Sequence, residues 1–206
     1  MCKDEEMIAM LRERNEKLAR ENEELTLRIQ SLEKELKECR KLAMIDPITG
    51  IYNLNYVNSE IERIRAFKKR ERASSSTMEF VTVLFIDVDK LKSVNDRYGH
   101  AAGNAVLCKI GQVLNNSIRR SDIAAHLHGD EFVVLSMTTK RSQGRLLYKR
   151  IKEELRSVDV IVNGEVTITV SASVGYRCIV LKKDFSFEAL KDAADLQMYL
   201  TKKAGG

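Results

Sequence analysis

With 206 residues, 44% of them hydrophobic, the chain can bury one well-formed domain and carry one accessory element, which excludes two large domains. The formal charge of +5 arises from 35 Lys and Arg interspersed with 30 Asp and Glu along helical stretches. Such mixing makes solvated faces rather than a basic block, so no nucleic-acid polymer is expected as a partner. No apolar run approaches the roughly 20 residues a membrane span requires, and Met1-Cys2-Lys3-Asp4-Glu5-Glu6 lacks a signal peptide's apolar core. Cys2, Cys39, Cys108 and Cys178 form no close pair and have no His partners at metal-ligand spacing. A cytoplasmic protein without membrane insertion is the expectation.

Residues 1–45 read as a coiled-coil helix. Leu11, Leu18, Leu25, Leu32 and Cys39 fall on heptad position d, and Ile8, Asn15, Asn22, Ile29, Leu36 and Ala43 on position a. Asn at two a positions favours a parallel, in-register pair, and Arg28 with Glu33 and Glu35 with Arg40 bring opposite charges together across it. A homodimer through this helix is expected. The heptad stops at Asp46-Pro47, the only proline, whose ring pushes the preceding residue away from helical geometry. Residues 46–206 are therefore the second domain.

Beyond the proline the pattern alternates. A helix is expected over about 54–69, ending in a basic run and a loop through Ala73-Ser74-Ser75-Ser76, followed by an apolar strand over 80–88 and a helix over about 103–118. A hairpin with arms near 123–127 and 131–137 comes next, then a helix near 143–156 and a strand near 159–162. Asn163-Gly164 is a turn signal. Val166, Ile168, Val170, Ala172 and Val174 then alternate as one buried strand face, and a last helix covers about 187–203. The fold class is α+β, a mostly antiparallel central sheet flanked by helices.

The strand at 80–88 is apolar on both faces, hence central, yet it ends in Asp87-Val88-Asp89. Carboxylates there are costly unless paired or metal-bound, and hard oxygen donors suit Mg²⁺. Ordinary solvated turns are the alternative.

Five stretches resemble, in order and at compatible spacing, the GGDEF family of nucleotide cyclases. Asp46-Pro47-Ile48-Thr49-Gly50-Ile51-Tyr52-Asn53 is similar to D-x-L-T-G-L-x-N, and the stretch from Phe85 to Asp96 to F-x-D-I-D-x-F-K-x-I-N-D. Gly99-His100-Ala101-Ala102-Gly103-Asn104 is similar to G-H-x-x-G-D, and His128-Gly129-Asp130-Glu131-Phe132 to the name-giving signature. Ala194-Asp195 through Lys202 resembles A-D-x-A-L-Y-x-A-K.

The resemblance implies a palm-like domain holding one GTP per protomer, two such half-sites making cyclic di-GMP. It places Mg²⁺ (or Mn²⁺) on Asp87, the Val88 carbonyl and Glu131, with Asp130, Glu131 and Lys202 as catalytic residues. Ile48, Lys90, Leu91, Lys92, Asn95, Asn104 and Gly129 are the implied substrate contacts. Arg119 and Asp122 match the R-x-x-D site at which the family's product, cyclic di-GMP, binds as inhibitor.

Four departures bear on the chemistry. His128 replaces the signature's first glycine, and a positive φ there would cost about 1 kcal/mol. His126 replaces the usual arginine two residues earlier. The sequence stops at Gly205-Gly206, where the family supplies another phosphate-binding arginine, implying truncation or weaker triphosphate binding. Asn104 stands where the family has a guanine-reading aspartate, and its amide, one acceptor and one donor, matches adenine better than a carboxylate does. The implied function is a dimeric diguanylate cyclase using GTP, with ATP as a second candidate substrate. The alternatives are a cyclic di-GMP receptor without activity and a cyclic AMP-GMP or adenine-accepting synthase.

Overall fold

The computed structural model describes residues 2–70, 79–162, 164–182 and 185–204. The chain divides into two compact units, Met1–Ala43 and Met44–Gly206. In the first, α1 (Cys2–Leu42) is one unbroken helix of strong helix formers, free of Gly and Pro. Its heptad residues Ile8, Leu11, Leu18, Leu25, Ile29, Leu32 and Leu36 are 46% to 60% exposed in the single chain.

The second unit runs β1 (Tyr52–Asn53), α2 (Leu54–Arg70), β2 (Phe80–Val88), α3 (Leu91–Tyr98), α4 (His100–Ser117), β3 (Ile123–His128), β4 (Glu131–Thr138), α5 (Arg141–Glu154), β5 (Val158–Val162), β6 (Val166–Val170), β7 (Ala172–Val180) and α6 (Phe187–Ala204). Five strands form one sheet in the order β1-β3-β4-β2-β7, and β5 with β6 forms a separate ribbon. All pairings are antiparallel except β1 with β3.

β2 is the spine because it is apolar on both faces. Val81, Val83 and Phe85 face α2 and α6, meeting Val57, Ile61, Leu190, Ala194 and Met198, while Leu84, Ile86 and Val88 face α4 and α5, meeting Val106, Ile110, Leu114 and Ile151. Burying both faces of a strand requires helices on both sides, so the helix pairs follow from β2.

Three local features depart from the sequence-based expectation. The strand foreseen through 166–174 breaks at Ser171: β6 pairs with β5, and β7 pairs with β2. The Val alternation runs through the break unchanged, so periodicity carries no sign of the change of partner. α3 was not foreseen as a helix. Its first residue follows Lys90, held in the left-handed region at φ 59°, and Gly99 at φ 85° ends it; Leu91, Val94 and Tyr98 make its buried face. β1, two residues long, has no periodicity to read. The loop foreseen at 73–76 lies outside the described residues, as does Asn163 of the expected turn, while Gly164 has φ 79°.

α6 reaches the sheet because Gly175 of β7 has no side chain: a Cβ there would stand 2.0 Å from the Ala194 carbonyl oxygen. Gly175→Ala is expected to push α6 outward and cost about 1–3 kcal/mol in urea unfolding. Leu146→Ala, at a side chain 65% exposed, should change stability by under about 0.5 kcal/mol. Equal effects of the two substitutions would contradict this packing.

Candidate active site

Antiparallel pairing of β2 with β4 sets Asp87 directly opposite Glu131. Two carboxylates in register repel, so the position needs positive charge nearby. Oε2 of Glu131 is sealed from solvent and has no hydrogen-bond donor. His128 Nε2 stands 3.2 Å from it and Lys191 Nζ of α6 3.8 Å, neither in hydrogen-bonding geometry. An anionic oxygen buried without a donor suits a bound cation. Among the described residues no three His, Cys, Asp or Glu side chains converge as a metal cluster, so a hard cation here would need a backbone oxygen or ligand oxygens as well.

The neighbouring acid is used differently. Asp89 accepts hydrogen bonds at 2.7 Å from the hydroxyls of both Ser171 and Ser173, and its N–H donates to the Ser171 carbonyl at 2.9 Å. It thus pins the end of β2 to the break between β6 and β7.

Beside this end lies an open cleft of about 770 Å³, lined by Asp87, Val88 and Asp89, by Lys90, Leu91 and Lys92, and by Asp130. Its size suits a nucleotide-scale ligand. Ser93, Arg97 and Tyr98 of α3, Thr169 of the ribbon and Ser171 at the β6–β7 break also line it. Ser93, Arg97 and Tyr98 escape the sequence reading because α3 is not seen there as a helix, on which Ser93 and Arg97 stand one turn apart on one face, and Thr169 and Ser171 escape it because the change of strand partner leaves no mark in the periodicity. Lys90 caps α3 without a side-chain hydrogen bond to the first amides, and the opening amides of a helix are groups an anion can use.

The hairpin tip between β3 and β4 closes the cleft. Gly129 takes φ 58°, and the Asp130 carbonyl accepts the Val88 N–H at 3.0 Å. His128 is not in the positive-φ region, since Lys90 alone among described non-glycine residues is. The expected backbone cost at His128 is therefore absent; the second residue of the signature, not the first, needs glycine here.

A family model described as the diguanylate cyclase GGDEF domain matches residues 43–206. The chain belongs to the GGDEF domain family. The diguanylate cyclase DgcP of Pseudomonas aeruginosa is 30% identical over 171 residues, covering 82% of this chain but only 24% of its own length, so the chain spans about a quarter of that relative. The solved GGDEF domain of TpbB from Pseudomonas aeruginosa is 28% identical, with TM-score 0.64 over 78% of this chain and 89% of that one. The coiled coil and GGDEF domain of DgcB from Caulobacter crescentus, solved with c-di-GMP, shares the fold at 21% identity and TM-score 0.73, over 91% of this chain and 95% of that one.

Of the residues assigned by resemblance to the GGDEF pattern, Asp87, Val88, Lys90, Leu91, Lys92 and Asp130 meet in the cleft. Glu131 sits at its edge through the register with Asp87. Asn95 packs on Gly103, where an added Cβ would fall 1.9 Å from its Oδ1. That contact sets Asn95 beside the start of α4, where Asn104 is exposed. Neither Asn lines the cleft, and Ile48 is 40% exposed in the turn before β1. Lys202 falls within α6, but its side chain lies outside the described residues. Lys191, which faces Glu131, had no signal in the sequence, because a lysine on a helix is ordinarily a solvated one.

Arg119 and Asp122 line a small recess of about 80 Å³ together with Ser136 and Arg150. Asp122 is buried; one oxygen accepts the Ser136 hydroxyl at 2.7 Å and the other the Arg119 N–H at 3.0 Å. Its carboxylate therefore already supports the turn into β3.

The turn before β1 is similarly held. Asp46 Oδ1 accepts the Thr49 N–H at 2.8 Å and its hydroxyl at 2.7 Å. Burial acts to raise the Asp46 carboxyl, but the Thr49 hydroxyl and amide and His126 outweigh it and hold the group below the ordinary carboxylate range. A depressed folded-state value stabilises above the unfolded value and is lost as pH falls through the folded one. Asp46→Asn is accordingly expected to cost about 1 kcal/mol at neutral pH. The gap to the unaltered protein should close as pH drops below about 4, and urea unfolding at two pH values checks it.

Proposed function

We propose that this chain is a diguanylate cyclase, condensing two GTP into cyclic di-GMP with release of two pyrophosphates. The buried, donor-free Glu131 Oε2 beside Asp87, at the edge of a cleft floored by the Lys90 turn, is the observation that carries this function. Asp87, the Val88 carbonyl and Glu131 would hold Mg²⁺ (or Mn²⁺). Such an ion supplies charge neutralisation at the α-phosphate and acidifies the attacking hydroxyl.

The chain's own residues do the rest. The amides of the 90–92 turn and the Lys92 ammonium bind the outer phosphates, and Lys202 adds a cation from α6. Asp130 accepts the proton of the 3′-hydroxyl as it attacks the α-phosphate of the other nucleotide. Each attack forms one P–O bond and breaks one to pyrophosphate. Asn95 and Asn104, on neighbouring helices, read the base. Because an amide at 104 can both accept and donate, adenine is admitted beside guanine, and ATP becomes a second substrate giving cyclic AMP-GMP.

Two chains are needed because each holds one nucleotide. The exposed Leu and Ile stripe of α1 supports a parallel homodimer: left in water it would be an unfavourable apolar surface, and joining two helices gives the half-sites a high effective concentration. No helix among the described residues is long and apolar enough to cross a membrane. A purely receptor function through Arg119 and Asp122 is the second reading; the Asp122 carboxylate accepts one hydrogen bond on each oxygen within the fold and keeps further lone pairs for a ligand.

Purified protein with Mg²⁺ and GTP, ATP or both is expected to yield cyclic di-GMP and a mixed product by mass spectrometry. Glu131→Gln should lower the rate roughly 100-fold or more at unchanged thermal stability. No cyclic product under any condition would refute the cyclase function. Asn104→Asp should shift products toward cyclic di-GMP by about tenfold, and an unchanged ratio would remove Asn104 from base selection. Deleting residues 1–43 should make the rate per chain fall steeply on dilution, whereas a rate independent of concentration would refute the dimer requirement.

A further inference from the structure

A second open cavity, of about 610 Å³, adjoins the Asp89 brace between the C-terminal part of α5 and the start of β7. Its cations are Lys149, Lys152 and Arg156, and its acids are Asp89 and Glu153. Neither acid neutralises the lysines. Asp89 accepts the hydroxyls of Ser171 and Ser173, which line the same cavity. Glu153 pairs with Arg156 at 3.5 Å, with both side chains over three-quarters exposed, so the pair is weak. Lys152 Nζ lies 5.8 Å from the Tyr148 ring, and neither it nor Lys149 forms an ion pair among the described residues.

These three cations end a longer row. Arg141, Arg145, Lys149 and Lys152 follow at spacings of four, four and three on one face of α5, and Arg156 continues them just past its end. All five are exposed. Like charges at these spacings repel along a helix. The helix dipole accounts for Lys152 in the last turn but opposes Arg141 in the first, which follows Lys140 and contains no acid. Charge placed where the helix itself disfavours it is offset by an anion from outside. We propose that this cavity binds an oligophosphate and that its occupation weakens nucleotide binding in the neighbouring cleft.

The ligand class follows from the spacing of the cations. Side chains three or four residues apart on a helix stand about 5–6 Å apart at Cβ, a gap that linked phosphates bridge and a single carboxylate does not. Lysine and arginine donors to phosphate make charge-assisted hydrogen bonds. Coupling to the cleft follows from a shared wall, because Asp89 and Ser171 line both cavities. Phosphate oxygens compete with the Asp89 carboxylate for the Ser171 and Ser173 hydroxyls, and their charge repels it. The end of β2 is thereby loosened, and with it the 90–92 turn. Linkage makes the effect reciprocal, so a nucleotide in the cleft weakens the oligophosphate by the same factor. Two sources carry this chemistry: the pyrophosphate that cyclisation releases and the triphosphate of a nucleotide.

The coupling rests on the cyclase function proposed above, so the test has one arm that does not. The full chain is titrated with inorganic pyrophosphate while backbone amides are followed by NMR. Amides of residues 145–156 and 171–174 should shift saturably, with the affinity reduced about tenfold in the Lys149→Ala/Lys152→Ala double variant and unchanged at this site in Lys92→Ala. Shifts confined to the 90–92 turn, or equal affinity in the double variant, would overturn the site. A non-hydrolysable GTP analogue that moves the 145–156 amides as pyrophosphate does assigns the triphosphate as the source; one that leaves them still assigns pyrophosphate. In the second arm, at fixed free Mg²⁺, pyrophosphate should inhibit cyclisation, and the double variant should need about tenfold more of it while keeping its uninhibited rate within about twofold. Equal inhibition of both proteins would overturn the coupling. If no protein makes product, the cyclase function fails, and the NMR arm alone decides the site.

Discussion

The acidic end of the central strand depends on a single constraint: the β2–β4 register places Asp87 opposite Glu131. The register cannot slip by one residue, because that would turn Val81, Val83 and Phe85 away from α2 and α6 and expose the other face as well. The apolar body of β2 therefore compels two like charges to share its end. Repulsion between them is tolerated only with compensating cations, which explains why Lys191 is brought over from α6, its ammonium also resting 5.0 Å from the Phe85 ring. The same hydrophobic strand that stabilises the domain thus creates an electrostatic demand at its tip, and a bound cation would satisfy it.

Adjacent acids divide the work by direction. Side chains alternate along a strand, yet Asp87 and Asp89 leave it at different points of the sheet: one within the β2–β4 ladder, the other past its end against Ser171 and Ser173. Two short hydroxyl bonds make Asp89 a structural brace, while Asp87 stays within the ladder opposite Glu131. The brace also fixes where β6 ends and β7 begins, and so positions Thr169 and Ser171 on the cleft wall. Asp46 and Asp122 repeat the pattern, each closing a turn through its carboxylate.

Much of this was legible in the chain. The apolar run at 80–88, the acids that end it, the hairpin signature and the helices at 54–69 and 187–203 follow from periodicity and residue type, and each found its counterpart in the structure. What escaped has physical reasons. α3 is short and mostly polar, and it begins at a lysine in a left-handed conformation that residue preferences disfavour. The β6–β7 break is silent because Val and Ser satisfy either pairing. Lys191 gains its role from a neighbour 60 residues away in the chain, Glu131.

By itself the sequence determined the local and periodic properties: the heptad of α1, the two-faced strand, the turn residues, and the acids and lysines available for phosphate and metal chemistry. These depend on side-chain type and spacing, which the chain carries explicitly. Only the tertiary structure decided which acid faces which and that Gly129 rather than residue 128 takes the left-handed turn. Such relations arise from the register of distant strands. Register is set by the sum of core contacts on both faces of β2, and no local segment contains that sum.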